Sequence, residues 1–357
     1  MNKNKLYWIA AIVIIVFIVV FSGWNNNSGK DRVLAILPLS GSNSQHGEWA
    51  KRGLQLASEG KNLEIIFEDS QLDAKKAISI INQYKNDKSI RAVFSLGSPV
   101  AMAIAPVVNE SKIPTFSIVA APPYSTPNDY TFRINGTTDV EMSTIKSTIL
   151  KDGKKRVAVI YLNNDYGKGI ADAFTKNFDK DNIVASEGFL PTDTDLRSQI
   201  IKIKNANPDV IFIASWGKEA GIFVKQAREL GVNTKIYCGS ACYSPELINM
   251  AGQYAEGVII ISPSVLLVNK DFGTSYLEKY KEAPNYVTTR NYDSMKILIS
   301  SLDKCTTGDK NLCIKDYVAG IKDYPGLTYS INFDTNGDLQ DQYQVSTVAD
   351  GKFVDIK

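Results

Sequence analysis

Residues 33–49 read VLAILPLSGSNSQHGEW: five apolar residues from Val33 to Leu37, a Pro-Leu-Ser-Gly turn, and a polar stretch that runs into Trp49. An unbroken apolar run of this length reads as a strand buried on both faces. A small polar turn that feeds a helix places free backbone N–H groups at the edge of a cleft, as in a doubly wound α/β unit. Further strands read at 63–68, 92–94 and 115–119, alternating with helical patterns at 48–59, 73–86 and 99–110. A second series follows, with strands at 156–161, 183–189, 210–214 and 235–237 and helices near 167–178, 196–205 and 218–230. Two such arrays in tandem predict two Rossmann-like lobes with a cleft between them. Beyond Pro263 the pattern turns to helices at 271–281, 290–302 and 314–321, then to β segments at 327–333, 343–348 and 353–356.

The chain has 357 residues, enough for two domains once the first thirty are set aside. With 22% charged and 44% apolar residues and a net charge of +2, it has the balance of a globular protein and no single-sign field for nucleic acid. Residues 1–30 stand apart: two lysines precede an uncharged run from Leu6 to Phe21, and a polar linker follows. That run lies between the lengths of a cleaved export signal and a membrane-spanning helix. Val20 and Ser22 suit a cleavage site and Trp24 suits the interface end of a retained anchor, so both readings stand. Either places the rest of the chain outside the cytoplasm, where four cysteines predict local disulfides, Cys238 with Cys242 and Cys305 with Cys313.

Catalytic and metal motifs fail on inspection. His46 is the sole histidine, and neither G-x-S-x-G nor H-E-x-x-H occurs. The stretch 23–30 has the wrong glycine spacing for a phosphate loop, and Asp334-Thr-Asn-Gly-Asp338 lacks the later ligands of an EF-hand and reads as a β-turn. An enzyme such as an amidase or ligase is disfavoured, and no cofactor or metal is called for.

From about Asp31 to the C-terminus the chain resembles the type I periplasmic binding proteins, the leucine/isoleucine/valine-binding group of ABC transporter receptors. The resemblance rests on the opening segment, on Phe94-Ser-Leu-Gly-Ser98-Pro99, on Ser117-Ile-Val119-Ala-Ala121-Pro-Pro, on Asn163-Asn-Asp-Tyr166-Gly-Lys-Gly and on the Asp334–Asp338 turn. It implies that the chain crosses between lobes three times, at a three-strand hinge. The lobes are then 31–136 with 266–330, and 137–265 with 331–357. It further implies an amino acid or related small carboxylate as ligand, an ABC permease as membrane partner and a monomeric receptor. A membrane-anchored sensory ectodomain is the alternative.

Site residues follow in the same way. Ser98 reads from sequence as a helix N-cap before Pro99, and by resemblance as a contact for the ligand carboxylate. The backbone at Val119 and Ala121 offers further contacts, although Ala121 stands where the family has a threonine. Tyr166 and Trp216 are expected to cover the ligand, and His46 to stand either at the cleft rim or on the surface. The stretch Gly239–Tyr243 carries no carboxylate where the family places an acid for the ligand ammonium. Tyr292-Asp293 is the substitute the resemblance suggests, with hinge support as the other role for Asp293.

Overall fold

The computed structural model describes residues 30–356 except Pro122, Pro123, Asp179, Leu266 and Val268. The signal-or-anchor segment therefore lies outside the described residues, among which no helix is long and apolar enough to cross a membrane.

The first half of the chain runs β1 (Asp31–Leu37), α1 (Ser44–Ser58), β2 (Leu63–Asp69), α2 (Ala74–Tyr84), β3 (Ile90–Leu96), α3 (Ser98–Glu110), β4 (Thr115–Ile118) and β5 (Thr131–Arg133). Its strands form a parallel sheet in the order β2-β1-β3-β4-β5. Val33 to Leu37 are wholly buried because β1 is covered on both faces, whereas β2, at the edge, is only partly buried along its length. The turn after β1 lies so close to α1 that a Cβ on Gly47 would stand 2.0 Å from the Pro38 carbonyl oxygen. Only glycine fits that approach.

The chain then forms α4 (Thr138–Lys151), β6 (Val157–Leu162), α5 (Asp165–Asn177), β7 (Ile183–Phe189), α6 (Arg197–Asn205), β8 (Val210–Ala214), α7 (Gly217–Glu229), β9 (Lys235–Cys238), α8 (Pro245–Ala251) and β10 (Ile259–Pro263). Returning, it adds α9 (Lys270–Tyr280), α10 (Tyr286–Lys304), α11 (Lys310–Ala319), the short pair β11 (Tyr324–Pro325) and β12 (Ser330–Ile331), and the hairpin β13 (Tyr343–Ala349) and β14 (Lys352–Asp355). The second sheet has the order β14-β13-β10-β9-β8-β6-β7, with β13 antiparallel to β10. Side-chain caps fix several helix starts, as where Asn285 Oδ1 accepts from Thr288 N at the head of α10.

The late helices return to the first sheet. Helix α10 lies against α1 so closely that a Cβ on Gly53 would meet the Thr288 carbonyl oxygen at 2.4 Å. Where segments pass between the sheets, two buried ion pairs tie them: Arg133 to Asp338 at 2.8 Å, and Arg290 to Asp341 through two hydrogen bonds of 3.2 and 2.9 Å. The matching fork of guanidinium and carboxylate suits burial.

Several expectations need correction. Helix α1 starts at Ser44, before the expected 48. Helix α4 and strands β5 and β10 had no counterpart in the sequence reading; Thr138–Lys151 has little apolar periodicity, and β5 is only three residues long. The β segment expected over 327–333 shrinks to Ser330–Ile331. Cys305 and Cys313 are bonded, but Cys238 and Cys242 are buried free thiols. Cys238 is held in the sheet between β8 and β10, and the Cys242 thiol, beside it, donates to the Ser215 carbonyl oxygen.

Candidate functional site

A small cavity of about 20 Å³ lies where the C-terminal ends of both sheets' strands face each other. This is the crevice at which open α/β sheets hold ligands. The first sheet supplies Gly97 and Ser98 after β3, Ala120 after β4 and His46 from α1; the second supplies Tyr166 from α5, Trp216 at the head of α7 and Ser240 and Ala241 after β9. Helix α10 closes one side with Tyr286 and Val287.

Each wall has a local cause. Asn164 Oδ1 accepts from Gly167 N at 2.9 Å, which starts α5 and turns Tyr166 into the cleft. Gly97 takes φ +96° between β3 and α3, so the chain leaves the strand under Leu72 and opposite Trp216. Across the cleft His46 lies edge-on to Trp216 at 5.4 Å, and on the second sheet's side Tyr166 is tilted on Trp216 at 5.2 Å.

These walls are apolar with polar tips. Both ring nitrogens of His46, the Tyr166 hydroxyl and Trp216 Nε1 are buried without a hydrogen-bond partner. Unpartnered buried polar atoms are costly and rare, and here they converge on one cavity. Burial lowers the His46 imidazolium to about 4, so its ring is neutral near pH 7 and offers one donor and one acceptor.

Of the residues singled out from sequence, Ser98, His46, Tyr166 and Trp216 line the cavity. Ser98 is not the cap; Gly97 occupies that position, and the Ser98 hydroxyl accepts from Ala121 N at 3.1 Å. The backbone at 119 and 121 is engaged within the protein: Val119 N donates to Asn135 Oδ1, the Val119 carbonyl accepts from Arg133, and Ala121 N serves Ser98. Ala120, between them, faces the cavity. Tyr292 and Asp293 do not line it. The Tyr292 ring packs on Phe272 at 4.9 Å, and both Asp293 oxygens accept from Leu327 N at 3.1 Å. Burial raises the Asp293 carboxyl to about 7, against the smaller opposing pull of Arg290.

Sequence reading missed Tyr286 and Glu141. Glu141, on α4, is almost wholly buried, its Oε1 accepts from Ser240 N at 2.6 Å, and burial raises its carboxyl to about 7. A carboxylate inside the unremarkable TDVEMSTIKSTILK stretch left no signal, since its partner lies 99 residues further on. Among the described residues no cluster of three or more His, Cys, Asp or Glu could hold a metal ion. The Asp334 carboxylate instead accepts from Asn336 N and Asp338 N within its own turn.

Similarity to known proteins runs the length of this architecture. The chain is 24% identical over 341 residues to the Leu/Ile/Val-binding protein homolog 3 of Brucella melitensis, covering 90% of this chain and 92% of that one. It is 26% identical over 313 residues to an amino acid binding protein of Pseudomonas aeruginosa, covering 80% and 82%. Among solved structures, a leucine binding protein of Thermotoga maritima matches with a TM-score of 0.84 at 24% identity, over 91% of this chain and 97% of that one. The branched-chain amino acid transporter substrate binding protein of Streptococcus pneumoniae, in complex with isoleucine, matches with a TM-score of 0.79 at 25% identity, over 91% and 99%. With residues 32–352 matching the family described as Periplasmic binding protein, and with two facing α/β sheets around one cleft, the chain belongs to the periplasmic binding protein family.

Proposed function

We propose that this protein is a non-enzymatic, extracytoplasmic receptor that closes its lobes on an amino acid or related small carboxylate and presents the closed form to an ABC permease. The carrying observation is the interlobe cavity walled by His46, Tyr166 and Trp216, with buried polar tips unpartnered inside it. Relatives named for leucine, isoleucine, valine or amino acid binding support that ligand class. The rings suit an apolar side chain, and polar groups at Ser98 and Asn135 suit its charged end.

In this reading the lobes are 31–136 with 266–330 and 137–265 with 331–357, hinged where Arg133 meets Asp338 and Arg290 meets Asp341. The receptor acts as a monomer, exported by its N-terminal segment, which is cleaved or retained as an anchor. The test is mass spectrometry of the small molecule released on denaturing freshly purified protein, followed by calorimetric titration with L-leucine, L-isoleucine and L-valine. A saturable one-to-one isotherm is expected with at least one of them. Heat-silent titrations with all three, together with a released compound lacking a carboxylate, would remove the ligand class.

A further inference from the structure

The parallel strands of the first sheet all begin at one pole and end at the cleft, with Asp31 of β1 beside Leu63 of β2 and Val93 of β3 beside Thr115 of β4. At the starting pole, about 20 Å from the cleft along β1 at 3.3 Å per residue, a groove of about 400 Å³ opens. Four of its lining side chains are cationic: Lys88 and Arg91 at the start of β3, Lys112 after α3 and Lys310 at the head of α11. One is acidic, Asp309, and its Oδ1 caps α11 by accepting from Leu312 N at 3.1 Å. The disulfide between Cys305 and Cys313 closes the loop that carries Asp309 and Lys310, and so holds this rim of the groove in place.

The positive charge is only partly offset. Asp31 is shared between Arg91 and Lys310. Asp87, next in sequence to Lys88, is committed to Arg32 at 2.7 Å and to Ser89 N at 2.8 Å. Four cations against Asp31 and Asp309 leave an excess of two positive charges. Lys88 and Lys112 are exposed and, among the described residues, form no ion pair. Lys112 also takes φ +56°, a left-handed position that glycine fills at least cost after a helix. What a lysine adds there is its charge.

The chain enters at the same pole. Asp31 opens β1, and before it come the uncharged run Leu6–Phe21 and the nine residues from Ser22 to Lys30. Nine residues reach at most about 30 Å. An apolar run lodged in a bilayer therefore keeps this pole, and not the second lobe, at the lipid surface.

We propose that the basic groove rests on the anionic headgroups of the membrane that holds the N-terminal segment, so that the receptor stands on its first lobe with the cleft a strand's length from the lipid. The inference rests on the retained form of that segment and concerns a surface apart from the ligand site. Ammonium and guanidinium groups pair with lipid phosphates, and each one near an anionic surface adds to an attraction that fades within a Debye length. A tether raises the effective concentration of lipid at the groove, so a patch of modest charge suffices.

The test places the full chain in vesicles of phosphatidylcholine alone, or with about one-third phosphatidylglycerol, and reads acylation of individual lysines by a membrane-impermeant reagent with peptide mapping. Lys88, Lys112 and Lys310 should react at least about 5-fold more slowly on the anionic vesicles at low salt, and the difference should vanish at about 1 M salt, where screening acts within about 3 Å. Lys155 and Lys235, at the strand starts of the second sheet, should react alike on both. Lys112→Gly should keep or raise Tm, since glycine suits the left-handed backbone, and should cut the protection of Lys88 and Lys310 by about 2-fold.

Equal reactivity of the three lysines on both kinds of vesicle overturns the proposal, whatever the ligand titrations show. Equal protection by soluble glycerol 3-phosphate on neutral vesicles would make the groove a site for a free phosphoanion, and protection by polyglutamate alone would make it a surface for an acidic protein; either result overturns the lipid contact. A chain that stays with neither kind of vesicle removes the retained anchor and the contact with it, while ligand capture is decided separately by calorimetry.

Discussion

The His46 ring meets the Trp216 ring edge-on at 5.4 Å, and the two residues belong to opposite sheets. This contact exists only while the lobes are together, so whatever protonates His46 acts on closure.

Burial lowers His46 from 6.5 to about 4. A depressed folded value means the closed form resists the proton that the open form accepts. Closure is therefore unaffected above pH 6.5 and weakens as pH falls from 6.5 towards 4, by up to about 3 kcal/mol at 1.36 kcal/mol per unit. Calorimetry with L-leucine should show affinity falling with acid over that window. The His46→Asn variant should lower the slope of log Kd against pH by about one between pH 6 and 4.5. An unchanged slope would show that His46 stays dry in the open form.

Ser98 joins the loops after β3 and β4 by accepting from Ala121 N. In Ser98→Ala that buried N–H loses its partner, at about 1–3 kcal/mol. The loop it steadies carries Ala120 into the cavity. Both Tm and L-leucine affinity should fall, the affinity by about 10-fold. A lower Tm with unchanged Kd would confine Ser98 to stability.

Much of this molecule can be read in the chain because its strands are fully buried. Stretches such as Val210–Ala214 are apolar at every position, and parallel strands covered on both faces leave that signature. Ser98, Tyr166 and Trp216 stand just beyond strand ends, so strand boundaries alone bring them to the cleft. What escaped depends on contacts between distant segments. Glu141 meets Ser240 N only because α4 is turned against the β9 loop, and Asp293, open in the sequence between ligand contact and hinge support, accepts from Leu327 N. Three intervening residues do not decide whether Cys238 and Cys242 bond: both are free and buried, although their thiols lie beside each other.

The cysteines give a direct check. Non-reducing peptide mapping should find Cys305 joined to Cys313, and Cys238 and Cys242 as thiols that alkylate only after unfolding. The bond closes a short loop, with a sequence separation of 8, so its loss should cost about 2–3 kcal/mol by chain entropy. A Cys238–Cys242 bond in freshly purified protein would contradict this.

Arg290 and Asp341 are both buried and share two hydrogen bonds at the crossing between lobes. Arg290→Met leaves Asp341 as a buried charge without its partner, and destabilisation of about 3–5 kcal/mol is expected by chemical denaturation. The double variant Arg290→Met with Asp341→Leu should recover much of that loss, since removing both charges removes the desolvation penalty as well. No recovery would mean that the remaining contacts of Arg290, to Thr328 and the Ser264 carbonyl, carry the cost.

Asp293 separates stability from binding. Burial raises its carboxyl from 3.8 to about 7, so the fold favours the protonated form. For an acid raised in this way, the contribution to stability is complete below 3.8 and is lost as pH rises through 7, a swing of at most about 4 kcal/mol. Asparagine keeps an oxygen for Leu327 N and never ionises. Asp293→Asn should therefore match wild type in Tm at pH 4 and exceed it at pH 8. Because Asp293 does not line the cavity, the Kd for L-leucine at pH 8 should stay within about 2-fold of wild type. A large loss of L-leucine affinity with no gain in Tm would instead place Asp293 in the binding machinery.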